Sequence, residues 1–148
     1  MIDIQVITAE QTYPLRHAIL RSGKPVESCY FEGDALPKSL HLGALISGHI
    51  VGVLSAFDRP YPENGEPALQ IRGMAVAEDH RRKKIASLLL REAESMLSSS
   101  GEHSLLWLNA RLNVQQLYLR NDFNPVGDPF LIQGIGMHQR FYKYLAHE

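Results

Sequence analysis

The chain opens on a strict alternation: Ile2, Ile4 and Val6 are separated by Asp3 and Gln5, the period of two that marks a half-buried strand. Thr8 and Gln11 then form a capping-box pair, followed by Leu15, Ala18 and Ile19 at helical spacing, with Gly23 and Pro25 to stop the element. A strand and a helix are predicted. Residues 26–38 carry no clean period and read as irregular chain or short strand. Two β-branched apolar stretches, 40–46 and 50–57, flank Ser47, Gly48 and His49, which predicts a β-hairpin with a tight turn. The proline-rich segment 58–67 suits a surface loop, and residues 68–76 then complete a three-stranded meander.

Periodicity changes after residue 84. Ile85, Leu88, Leu89, Ala93, Met96 and Leu97 recur three and four apart while Arg91, Glu92 and Glu94 fall opposite, which predicts an amphipathic helix of about four turns ended within 98–101. The continuous apolar run 104–108 (SLLWL) reads as a strand covered on both faces. With strand 68–76 and the intervening helix it makes a βαβ unit, hence a parallel pair in an otherwise antiparallel sheet. A short helix over 114–120, capped by Asn113 and turning Val114, Leu117 and Tyr118 inward, leads to two closing strands, 123–126 and 138–145, joined by a glycine-rich loop.

Composition narrows the class. The chain has 148 residues, is 45% hydrophobic and 21% charged, and carries a formal net charge of -1, so a folded protein is expected and a general attraction to nucleic acid or anionic membrane is not. One domain spanning 1–148 fits that length. Cys29 is the single cysteine, and the seven histidines show no His-x-x-x-His spacing, so no disulfide and no metal site is expected. The first residues lack a basic segment followed by an apolar one, and there is no apolar run of about 18 residues, from which a cytoplasmic location is expected.

The candidate chemistry lies between strand 68–76 and the helix that follows. Arg81, Arg82, Lys83 and Lys84 stand immediately before Ile85, the first periodic residue of that helix. A helix N-terminus aims its free backbone N–H groups and the positive end of its dipole at one place, so cations collect there only where an anion lies between. A phosphate or pyrophosphate is the expected ligand. Neither Gly-x-x-x-x-Gly-Lys-Ser/Thr nor Gly-x-Gly-x-x-Gly occurs, which removes the main grounds for nucleoside-triphosphate hydrolysis and dinucleotide redox chemistry.

Residues 76–86 (VAEDHRRKKIA) resemble the acyl-CoA-binding motif of the GNAT superfamily of N-acetyltransferases, Gln/Arg-x-x-Gly-x-Gly/Ala after a strand ending in valine. Arg81 matches the first motif position and Ala86 the last, while Lys84 stands where the family normally has glycine. The element order is similar to that superfamily over nearly the whole chain. The resemblance implies an α/β (α+β) three-layer fold: a mixed, mostly antiparallel central sheet with a central parallel pair and helices on both faces. It implies acetyl transfer from acetyl-CoA, as acyl-donor cosubstrate, to a primary amine by direct attack in a ternary complex. The backbone of Met74, Ala75 and Val76 would hold the pantetheine arm and the acetyl carbonyl, and the amides of Arg82, Lys83, Lys84, Ile85, Ala86 and Ser87 the pyrophosphate, with Arg81, the first motif position, also in the cofactor site. A lysine at position 84 can still donate its N–H at negative φ, and its departure from glycine implies weaker or altered CoA binding.

Farther on, Asn109, Ala110 and Arg111, then Leu117, Tyr118 and Phe123, are similar to the family's second half, where a helix tyrosine stands near the CoA sulfur. A departing thiolate needs a proton, and a phenol with a pKa near 10 is protonated at pH 7. Tyr118 is therefore the candidate general acid, with a packed helix tyrosine as the plainer reading. Asp122 replaces the family's glycine before the phenylalanine and is able to adopt the left-handed cap conformation. Asn109 reads equally as a contact to pantetheine or substrate and as an exposed strand-end residue. Gln70 occupies the position at which some members carry a glutamate base, so deprotonation of the amine would fall to water, Glu32, Asp34 or His41. Arg72, in an otherwise apolar strand, is open to two readings: a contact to an acidic substrate group, or an ion pair with Glu66 or Asp79. The other class consistent with the motif is a non-catalytic CoA- or anion-sensing module on the same fold. A homodimer is open through an edge strand such as 138–145.

Overall fold

A computed structural model describes residues 1–100 and 104–145. Seven strands form one sheet: β1 (Asp3–Val6), β2 (Leu40–Ile46), β3 (His49–Asp58), β4 (Leu69–Val76), β5 (Leu105–Arg111), β6 (Asn124–Ile132) and β7 (Gly136–Tyr144). Their order is β1-β2-β3-β4-β5-β7-β6, and every neighbouring pair is antiparallel except the central β4–β5 pair. The helices are α1 (Ala9–Leu15), α2 (Ile85–Ser100) and α3 (Gln115–Arg120).

The faces of β3 show how the layers form. Its even positions look towards α2, where a Cβ on Gly52 would lie 2.8 Å from Ile85 and 3.2 Å from Leu89. Its odd positions look the other way, where Ser55 accepts a hydrogen bond from Arg16, the residue that follows α1. The two helices therefore cover opposite faces, because successive strand residues alternate. The core between α2 and the sheet gathers Leu42, Leu54, Ile71, Leu89, Leu90 and Phe141. A smaller cluster of Tyr61, Ala68, Leu105 and Trp107 fills the other face beside β5.

Several expectations change in detail. The capping box at Thr8 and Gln11 is present, but the first helix continues past Leu15 as a π-turn, Arg16–Leu20, and its inward residues are Ala9, Thr12 and Arg16. Ala18 is exposed, and Leu15 and Ile19 are only half-buried. The buried hydroxyl of Thr12 donates to Ala9 O and the guanidinium of Arg16 is fully paired at its tips, so a polar stripe occupies the place an apolar one was expected to fill. Asn113 does not cap α3: a 3₁₀ turn, Leu112–Val114, intervenes, Val114 sits at the cap position without a side-chain bond, and Val114 itself is exposed. Of the residues at 98–101 expected to end α2, Gly101 lies outside the described residues, and the helix continues to Ser100.

The closing hairpin is longer than the sequence pattern suggests. β6 runs through Gly127 to Ile132, with its register to β7 shifting between Val126 and Phe130. As an edge strand it accommodates Pro125 and Pro129, which an interior strand would not. β7 itself is inserted between β5 and β6. Segment 138–145 thus contributes its strand to two internal ladders and is no edge through which a second subunit could pair.

Candidate active site

The parallel pair begins as a ladder and then opens. Leu69 is registered with Leu106 and Gln70 with Trp107, and no further pairing between β4 and β5 follows. At the same level β4 bulges: Ser55 opposes Arg72 and Val53 opposes Ala75, leaving Gly73 and Met74 against Leu54 alone. Gly73 takes φ +66°, and a Cβ there would come within 3.0 Å of both Arg16 Nε and Phe31, so glycine is required for conformation and for space. Strand separation and bulge together produce a cleft of about 1020 Å³ between Arg72–Val76 on one side and Leu108–Arg111 on the other.

At one end of this cleft stands the basic turn. Leu88 N–H donates to Lys84 O at 3.0 Å, the first bond of α2, so the amides of Ile85, Ala86 and Ser87 have no partner within the helix. Arg82 and Lys84 adopt φ +65° and +60°. Lys84 therefore takes the left-handed conformation that glycine would, not the negative φ expected of it. Of the residues singled out in the sequence, Met74, Ala75, Val76, Arg81, Ala86, Asn109 and Tyr118 line the cleft. Arg82, Lys83, Lys84, Ile85 and Ser87 do not. Ile85 is buried in the core, Lys83 Nζ lies 3.3 Å from His80 Nδ1, and Ser87 Oγ accepts from Asn121. What the turn offers the cleft is Arg81 and the small Ala86, whose amide is one of the three left free in the first turn of α2.

Tyr118 reaches the cleft from α3. It is 6% exposed, lies edge-to-face on Phe123 at 5.8 Å and beside Phe141 at 5.9 Å, and its hydroxyl makes no hydrogen bond among the described residues. Burial pushes the phenol well above its ordinary value near 10, because an apolar surround penalises the charged form. Asp122 at φ +67° closes α3 in the left-handed cap conformation expected of it. Asn109 is engaged: its Oδ1 accepts from Arg140 Nε at 3.0 Å.

Behind Gly73 lies a closed polar network. Arg16 is fully buried; Nη1 donates to Asp34 Oδ2 at 2.8 Å and Cys29 O at 2.9 Å, and Nη2 donates to Asp34 Oδ1 at 3.0 Å and Ser55 Oγ at 2.9 Å. Ser55 Oγ is 2.7 Å from His41 Nδ1, and His41 Nε2 is 3.0 Å from Asp34 O. A backbone carbonyl only accepts, so Nε2 carries the proton and the Nδ1 lone pair is occupied by the Ser55 hydroxyl. Asp34 and His41 are thus committed to structure. Glu32 is exposed, and none of the three lines the cleft.

A different histidine does line it. His138, 5% exposed on β7, has Nδ1 at 2.7 Å from Gly136 O, which makes Nδ1 the donor and leaves the Nε2 lone pair available. Along the chain it is an isolated histidine; only the pairing of β7 with β5, which sets His138 opposite Arg111, brings it to the site.

A central parallel pair that parts above a bulge, with a basic helix N-terminus at the mouth of the opening, is the architecture of an acyltransferase. Residues 8–123 match the model of the acetyltransferase (GNAT) family. The chain is 36% identical over 146 residues to an uncharacterized N-acetyltransferase, YitI, of Bacillus subtilis (strain 168), covering 98% of this chain and 97% of that protein. Among solved structures, Escherichia coli ElaA superposes with a TM-score of 0.78 at 17% identity, covering 97% of this chain and 99% of ElaA. An aminoglycoside 6′-N-acetyltransferase complexed with coenzyme A gives 0.77 at 13% identity, covering 99% of this chain and 98% of that one. The chain belongs to the GNAT family and is an N-acetyltransferase.

Proposed function

We propose that the protein transfers an acetyl group from acetyl-CoA to a primary amine by direct attack within a ternary complex. The observation that carries this reading is the cleft that runs from Ala86, in the first turn of α2, to Tyr118 along the parted β4 and β5. The residues fit the donor: Arg81, the small Ala86 and the first turn of α2 suit a pyrophosphate, and the backbone of Met74, Ala75 and Val76, which line the cleft where β4 has no pairing with β5, suits an amide-bearing pantetheine arm. A structure of a fold relative complexed with coenzyme A supports the same assignment.

The chemistry follows from the groups present. The amine must be neutral to attack, and an alkylammonium has a pKa near 10.4, so a base has to accept its proton. His138 Nε2 is the group we assign, directly or through one water. Nitrogen then forms a bond to the thioester carbonyl carbon, the carbon–sulfur bond breaks, and sulfur leaves as a thiolate that needs a proton. Tyr118, held protonated by burial, donates to it. The nitrogen, cationic once bonded to carbon, gives its second proton to the Tyr118 phenolate directly or through water, which leaves a neutral amide, a neutral thiol and a neutral Tyr118, while His138 returns the first proton to solvent through the cleft.

Thermal unfolding with and without acetyl-CoA tests the donor. A ligand at about 100 times its Kd stabilises the folded state by roughly 2.7 kcal/mol, which raises the Tm of a domain of this size by several degrees. Unchanged melting at millimolar acetyl-CoA, together with no loss of thioester in the presence of a broad amine panel, would overturn the proposal.

A further inference from the structure

The acceptor end of the cleft has a one-sided charge. Arg21, Arg59, Arg72, Arg81 and Arg111 line the cavity, and among the described residues no aspartate or glutamate does, in a chain whose formal net charge is -1. Arg81 belongs to the turn before α2. The other four come from four different segments, the end of the π-turn, the residue after β3, the middle of β4 and the end of β5, and they converge beyond the bulge, away from that turn.

Their partners leave the charge uncompensated. Arg21 Nη1 and Arg111 Nη2 both donate to the same carbonyl, Leu20 O, each at 3.1 Å. Arg59 Nη2 donates to Glu32 O at 3.0 Å. Arg72 lies over the Phe31 ring at 4.4 Å, with Arg21 at 5.7 Å from the same ring, and makes no hydrogen bond among the described residues. The ion pairs open to Arg72 in the sequence are not formed: Glu66 accepts from the Tyr144 hydroxyl, and Asp79 stands by His80. Burial first, then Arg59, Arg21 and Arg16, pull the Arg72 pKa below its ordinary value; Arg21 is lowered by burial and by Arg111. Asp34 is the carboxylate that acts on Arg72, and it is already paired through both oxygens with the fully buried Arg16. Four further half-buried guanidinium groups with no carboxylate of their own in the cavity are disfavoured unless an anion joins them.

We propose that the acceptor is an amine that also carries an acidic group, a carboxylate or a phosphate, which Arg72 receives together with Arg21 and Arg111 while the amine points to the bulge at Gly73. This deepens the acetyl-transfer reading and rests on it. Arginine forks suit both oxyanions because each presents two parallel N–H groups to two oxygens. The same field works against polyamines and other cations, since like charge placed in a half-buried site is strongly penalised.

Matched pairs test the assignment: β-alanine against propylamine, phosphoethanolamine against ethanolamine, and putrescine as a dication. Each is titrated calorimetrically into the CoA-saturated protein and assayed for kcat/KM with acetyl-CoA. The anionic member of at least one pair is expected to bind and react 10-fold or more better than its neutral partner, the order of one charge-assisted hydrogen bond (~10-fold). Which pair shows it separates carboxylate from phosphate. Arg72→Gln, and independently Arg111→Gln, are expected to bring the members of that pair to within about 3-fold while the CoA-induced rise in Tm persists, because one anion contact of this kind accounts for the preference. Equal use of charged and neutral members, preference for putrescine, or a preference that survives both substitutions overturns the proposal. Anion binding that depends on Arg72 without acetyl transfer to any amine leaves the anion site standing and removes the transferase reading; transfer without charge preference does the reverse.

Discussion

At the residue scale the protein is decided by a few side chains in unusual places. Arg16 is the clearest: an arginine wholly removed from water, with Asp34, Cys29 O, Ser55 and the Phe31 ring at 3.9 Å around it. Replacing it with methionine would keep much of the volume but strand the Asp34 carboxylate. Arg16→Met is therefore expected to destabilise the fold by about 3–5 kcal/mol, read as a lower urea midpoint. Lys84 tests the opposite direction. It holds a left-handed conformation that disfavours a side chain, so Lys84→Gly is expected to stabilise by about 1 kcal/mol, a rise of a few degrees in Tm. Tyr118 carries a pH signature. Its phenol is raised in the folded state, so below pH 10 it is protonated folded and unfolded alike and its contribution is complete. Above about 10 only the unfolded chain ionises, and stability is lost. Denaturation followed from pH 8 to 11 should fall more steeply in the wild type than in Tyr118→Phe over the upper part of that range.

At the element scale the catalytic geometry depends on how closely neighbouring segments approach. Gly52 lets α2 sit against β3, and because a side chain there would meet Ile85 and Leu89, Gly52→Val is expected to lower stability by about 1–3 kcal/mol and to displace the N-terminus of α2. Proteolysis or chemical denaturation measures the first effect and acetyl-CoA affinity the second. The elements that carry an uninterrupted apolar period are legible in the amino-acid sequence alone: the meander, α2, the β5 core and hence the βαβ unit. Of the turn, the sequence places Arg81 and Ala86 at the cleft as the structure does, and likewise Tyr118, but Arg82, Lys83, Lys84, Ile85 and Ser87 lie off it. Where polar residues are buried the pattern misleads, as in α1, whose inward stripe contains Thr12 and Arg16 because the Arg16 hydrogen bonds are completed by segments far along the chain. β6 reads short in the sequence because prolines and a glycine in an edge strand look like a loop. Of the arginine cluster the sequence points to Arg72 alone, as a charge in an otherwise apolar strand; His138 and the arginines that join Arg72 are not legible because long-range pairing alone assembles them. They become neighbours only through the insertion of β7 beside β5 and the return of the π-turn to Arg111.

For the whole molecule, one sheet that opens at its centre brings Ala86 of the first turn of α2, His138 and Tyr118 to one cleft, the places proposed for donor binding, proton acceptor and proton donor. Removing the acceptor by His138→Gln should reduce kcat/KM by roughly 100-fold and shift the remaining activity to higher pH, where free amine is more abundant. The hairpin that carries His138 is tied to the segment after the π-turn by Lys24 Nζ donating to Gly134 O at 2.6 Å, near the cleft residues Arg21 and Ile135. The central claim is that acetyl transfer occurs in this cleft with Tyr118 as the proton donor. Its most direct test is to measure kcat and the CoA dissociation constant side by side for the wild type and Tyr118→Phe. The account predicts a kcat lowered by roughly 100-fold or more with CoA affinity retained within about 3-fold, as expected for a group that acts only in the transition state. Unchanged turnover in Tyr118→Phe, or a loss confined to CoA affinity, would contradict it.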